Sequence, residues 1–102
     1  MVHVLALIQA HPGQREKILE FLHANRPAVL AEPGCIEYFA TTDAEGAPGL
    51  QTPLGPDSFV VFEHWADMPS FHAHANAPHV HTYRRNTGPL IASRTVHVLS
   101  RV

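Results

Sequence analysis

The residues best suited to chemistry in this chain cluster around one apolar stretch, Phe59-Val60-Val61-Phe62-Glu63-His64-Trp65, which His74 and His79 follow closely. Tryptophan offers a large stacking face, and imidazole moves protons near neutral pH. A strand end that sets a tryptophan beside imidazoles suits the wall of a pocket for a flat, oxygenated organic molecule. Glu63 shares the face of Trp65 and is equally placed to pair with an Arg or His. Trp65 at a strand end also suits a plain core role. Cys35, after a turn glycine, is expected to be an inert packed thiol.

Four histidines, His72, His74, His79 and His81, invite a metal reading. Helical geometry argues against it, because His72 and His74 would point about 200° apart. Pro78 starts a new segment between the two pairs, and no Asp, Glu or Cys stands beside them in sequence. No bound metal is expected. Nor is a nucleotide or flavin cofactor, since no phosphate-cradling glycine loop is present.

These residues need a scaffold, and periodicity supplies its outline. Val2 to Ala10 is strand-like and apolar on both sides, which predicts burial of both faces. Gln14 to about Ala31 is helical, with Ile18, Phe21, Leu22 and Val29 near one stripe. Pro27 falls inside it and should kink or split the helix. Cys35 to Thr42 is a second strand, with Ile36 and Tyr38 on one face and Cys35, Glu37 and Phe39 on the other. Asp43 to Pro56 is a loop, with a short extended piece at Gly49 to Thr52. Ser58 to Trp65 is the third strand. Asp67 is an N-cap candidate for a helix reaching Ala75, and Ala77-Pro78 opens a second helical segment to about Arg85. Ala92 to Arg101 is the last strand.

The order β-α-β-β-α-β is that of a ferredoxin-like α+β domain, one antiparallel four-stranded sheet with its helices on one face. Residues 1–102 make one domain. The apolar fraction of 45% against 16% charged leaves apolar surface to be covered. A second copy packed on the free sheet face would cover it, so a homodimer is expected. The net charge of -2 offers no footprint for nucleic acid. No apolar run approaches the ~20 residues that span a bilayer, and no leader pattern is visible. A single cysteine fits a reducing, cytoplasmic compartment.

In order along the chain stand Ala10-His11-Pro12-Gly13-Gln14, Glu32-Pro33-Gly34-Cys35, Gly55-Pro56-Asp57-Ser58, Glu63-His64-Trp65 and His74-Ala75-Asn76-Ala77-Pro78-His79, with Tyr83 following. Together they resemble the antibiotic biosynthesis monooxygenase (ABM) superfamily, and within it the quinol monooxygenase group. The resemblance covers nearly the whole chain. It implies a small dimeric enzyme that oxygenates a quinol or hydroxylated aromatic with dioxygen and needs no flavin, haem or metal. On it, His74, His79 and Trp65 are the catalytic candidates: Trp65 as a pocket wall, the histidines to move a proton or hold a substrate oxygen. Tyr83, Glu63 and Phe62 are further substrate contacts. Haem-degrading relatives use a first-strand asparagine, which Val4-Leu5-Ala6-Leu7-Ile8 lacks. The resemblance leaves two alternatives. One is an isomerase of a phosphorylated autoinducer-2-type signal, with Arg84-Arg85 as its basic group. The other is a non-catalytic dimeric stress-related binding protein.

Overall fold

The computed structural model describes residues 1–102. The chain runs β1 (Val2–Ala10), α1 (Arg15–Leu30), β2 (Cys35–Thr41), β3 (Ser58–Trp65), α2 (Met68–Ala75), α3 (Pro78–Thr87), a 3-10 turn (Gly88–Leu90) and β4 (Ile91–Leu99). The strands form one antiparallel sheet in the order β2-β3-β1-β4. This is the ferredoxin-like topology expected from the element order.

Alternation along β1 sends Val2, Val4, Ala6, Ile8 and Ala10 toward the helices, where all five are buried. Directly opposed residues of an antiparallel pair share a face. Val2 therefore lies beside Trp65, Val4 beside Glu63 and Ala6 beside Val61. Ile18, Leu19, Leu22 and Val29 of α1 close the core over them. Leu19, not Phe21, completes the buried stripe; Phe21 lies at its margin under the Lys17 ammonium.

Three local expectations need correction. First, α1 runs unbroken through Pro27. Pro27 is exposed, and its carbonyl still accepts the N–H of Ala31 at 3.1 Å. Second, the faces of β2 change phase, because the register with β3 slips between Cys35 and Glu37. A bulge adds one residue to one strand, so Cys35 and Tyr38 both turn inward and Ile36 is left exposed. Third, Gly49 to Thr52 is no strand but part of a turn, in which Gln51 N–H bonds to Pro48 O. That loop is tied down by Asp43, whose carboxylate accepts the N–H groups of Leu54 (2.8 Å) and Gly55 (3.0 Å).

The molecule is a slab, 38 × 35 × 20 Å. Helices cover one sheet face only. The far face carries Leu5, Leu7, Phe39 and Phe62, so β1 is not buried on both sides within one chain. Helix coverage also stops short of β4. Val96 and Val98 point the same way as Ala6 and Val4, yet remain 46% and 44% exposed.

Candidate active site

His74 is the centre of the site. It sits near the end of α2, which Asp67 starts by accepting the Ser70 N–H at 2.8 Å. The imidazole is only 5% exposed. Its Nδ1 donates to Glu32 Oε2 at 2.7 Å, and its Nε2 lies 3.7 Å from Glu63 Oε1. An ionised carboxylate can only accept, so the Glu32 bond puts a proton on Nδ1 and leaves Nε2 to face Glu63.

Glu32 reaches this position through the turn between α1 and β2. Gly34 there has φ +83, and a side chain at Gly34 would run into Ser70 of α2. Its carbonyl accepts the Ala66 N–H at 2.8 Å. The turn is thus pressed against the start of α2, one helix turn from His74. The sequence places Glu63 to pair with a histidine, but not Glu32, which lies 42 residues before His74 in the chain. A carboxylate just past a helix C-terminus opposes the helix dipole, and that mismatch was the one available signal for Glu32.

Trp65 is wholly buried, with its ring centroid 4.7 Å from that of His74. Its Nε1–H donates to Glu63 Oε1 at 3.0 Å. Trp65 therefore backs the imidazole and orients the acid, while the cavity wall itself is formed by others. Burial pushes the Glu63 carboxyl above its ordinary pKa, against the opposing effects of the Trp65 bond and the nearby His74 and Arg84.

A cavity of about 70 Å³ lies between the sheet and the helices. Val4, Ala6, Ile8, Val61 and Val80 make its apolar floor and roof. Glu63, His74, Tyr38, Tyr83 and Asn25 supply polar groups, and Arg84 and Arg94 stand at the wall as well. Burial raises the pKa of both Tyr38 and Tyr83, which keeps the phenols protonated as donors. Cys35 is similarly raised, by burial and by Glu32 and Glu63, which suits an inert thiol.

The other expected site residues divide. Tyr83 shares the cavity with Glu63 and His74. His79 does not line this cavity; its Nε2 is 3.6 Å from Glu32 Oε2, the oxygen that His74 also approaches, and its Nδ1 donates to Asn25 Oδ1 at 3.0 Å. It borders a separate surface depression shared with Asn25 and Tyr83. Its Nε2 is buried without a hydrogen bond. Phe62 is on the opposite face of the sheet, 39% exposed and stacked on Phe39 with centroids 5.5 Å apart. Neighbours on a strand point to opposite faces, and Phe62 is absent from the cavity that Glu63 and His74 line. Asn25, Tyr38 and Arg94 joined the site unforeseen; each sits on an element read only as scaffold. No group of three or more His, Cys, Asp or Glu converges to hold a metal.

Comparison with known proteins fits this architecture. Residues 1–86 match the family model for antibiotic biosynthesis monooxygenases. The chain is 34% identical over 85 residues to the probable quinol monooxygenase YgiN of Escherichia coli, a match covering 81% of each protein. Among solved structures, Rv0793 from Mycobacterium tuberculosis superposes with a TM-score of 0.80 at 26% identity, over 99% of this chain and 94% of that one. PA3566 from Pseudomonas aeruginosa gives 0.80 at 25% identity, over 99% and 93%. The chain belongs to the antibiotic biosynthesis monooxygenase family, in its quinol monooxygenase group.

Proposed function

We propose that this protein is a cofactor-independent monooxygenase that oxidises a quinol or hydroxylated aromatic with dioxygen. The observation that carries the reading is the buried His74, held by Glu32 behind it and facing Glu63, with His74 and Glu63 on the wall of a mostly apolar cavity. Glu32 orients the imidazole, and His74 Nε2 accepts the proton of a ring hydroxyl. The ionised ring is then the electron donor. One electron passes to dioxygen, the resulting radical pair forms a C–O bond, and the O–O bond breaks with release of water. Overall, quinol plus dioxygen gives hydroxyquinone plus water, so no external reductant enters. Tyr83 and Tyr38 hold substrate oxygens as neutral donors, and Trp65 stiffens His74 and Glu63.

The protein acts as a homodimer joined through the helix-free sheet face, and the lone thiol of Cys35 suits the reducing cytoplasm. No helix is long and apolar enough to cross a membrane.

Aerobic incubation with reduced menadione and with methylhydroquinone tests the activity. Oxygen uptake should exceed that of a Trp65→Phe, His74→Ala double variant, which also corrects for autoxidation. One heavy-isotope atom from labelled dioxygen should appear in the hydroxyquinone. Uptake equal to that of the double variant, with no label in the product, would sink the reading.

A further inference from the structure

Resting on that reading, we infer that the aromatic substrate carries a carboxylate, held at the cavity mouth by Arg84 of α3 and Arg94 of β4. Both arginines line the cavity that His74 and Glu63 line. They and Val96 are its exposed lining residues, whereas Val4, Ile8, Val61 and His74 are buried. The mouth therefore opens between α3 and β4. An apolar core cavity that encloses benzene measures roughly 150 Å³, and this one is about 70 Å³. A ring seated with its hydroxyl at His74 must extend outward, past the exposed lining residues Arg84 and Arg94.

The charge balance points the same way. The chain has seven Lys plus Arg in all, and two of them converge here. Arg15 and Lys17 are paired with carboxylates, and Arg26 donates to Tyr38 O. The other four, Arg84, Arg85, Arg94 and Arg101, make no ion pair, and of these Arg84 and Arg94 line the cavity. The one carboxylate in the cavity wall, Glu63, already accepts from Trp65 and faces His74. Arg94 is opposite Ile8, on the inward side of β4, where an apolar residue would be expected. Guanidinium forks match a carboxylate with two parallel hydrogen bonds. A carboxylated ring thus completes the site: hydroxyl at His74, ring over Val4 and Val61, acid at the mouth.

Binding of hydroxyphenylacetate and cresol, neither of them a quinol, measures this without turnover, by quenching of the single tryptophan. The acid should bind roughly 10- to 100-fold tighter than cresol, with a preference that falls as salt rises. Arg84→Gln with Arg94→Gln should erase the preference, each single variant should lose part of it, and Arg85→Gln, outside the cavity, should keep it. Equal binding of acid and cresol by the unaltered protein overturns the inference, whether or not the variants fold. Ribose phosphate binding in place of either aromatic overturns it too, in favour of a phosphosugar site. Oxygen uptake separates the two readings. Acid preference without uptake from dihydroxyphenylacetate keeps the inference and removes the monooxygenase. Uptake at equal kcat/KM from dihydroxyphenylacetate and methylhydroquinone does the reverse.

Discussion

His74 has one hydrogen bond of 2.7 Å to Glu32 and a second acid across the ring, so its two neighbours do different work. On the proposed mechanism, removing the ring removes the base: His74→Ala should lower turnover by ~10²-fold or more. Glu32→Gln keeps the size but can present its amide N–H to the ring, which disturbs the tautomer. It should lower kcat with a smaller change in KM, measured on the same quinol. If His74 were only a packed core residue, both variants would lower Tm and leave turnover alone. Glu63 makes a separate prediction. Its folded pKa is raised by burial, so the fold favours the protonated acid. The associated stability is complete below the ordinary carboxylate pKa and is lost as pH rises through the higher folded value. Glu63→Gln imitates the neutral acid. The Tm difference, variant minus parent, should therefore become more favourable to the variant as pH rises above the ordinary carboxylate pKa of about 4.3; a difference that moves the other way refutes the assignment.

At the scale of elements, what was legible follows local chemistry. The strand periodicities, the Asp67 cap and the proline-led start of α3 were readable because each depends on residues within one turn of one another. The β2 bulge was not readable, since Ile36 breaks phase only against its partner β3. Phe62, which the resemblance implies as a substrate contact, instead follows strand alternation to the opposite sheet face, stacked on Phe39. Glu32 was missed because its partner is on α2, far along the chain, and the turn that delivers it shows only Pro33 and Gly34. That turn is testable. Gly34 has a positive φ and lies against Ser70. Gly34→Ala should cost roughly 1–2 kcal/mol from the backbone alone, and more once Ser70 must move. Because the same turn carries Glu32, the variant should also lose activity at temperatures where it remains folded. Circular dichroism and quinol turnover on one preparation report the two effects. A variant as stable and active as its parent would show that the turn does not position the site.

For the whole molecule, the question is what covers the helix-free sheet face. Burying apolar surface is worth about 25 cal/mol per Å², and a chain of 102 residues has a limited core to draw on. The far face presents the Phe39–Phe62 stack with Leu5 and Leu7 nearby, and beside it the stacked imidazoles of His3 and His64, 4.2 Å apart. His64 Nε2 is buried there without a partner. An isologous dimer through this face would put the aromatic stack of one copy against the same surface of the other. The helix side, and with it the cavity, would stay free. Phe62→Glu puts a charge at the centre of that face and should give monomers at micromolar concentration, seen by sedimentation, where the parent is expected to sediment as a dimer. The monomer should also melt lower, since the strands exchange a covered face for a wet one. His3 adds a pH dependence of known sign. Burial, then the neighbouring His64, Arg101 and the N-terminal amine, hold its pKa below the ordinary value. Its contribution is therefore present above the ordinary histidine pKa and is lost as pH falls through the lower folded value. Acidification below about pH 6 should lower the Tm of the parent and lower that of His3→Gln less. A parent protein that sediments as a monomer at neutral pH would overturn the assignment of this face.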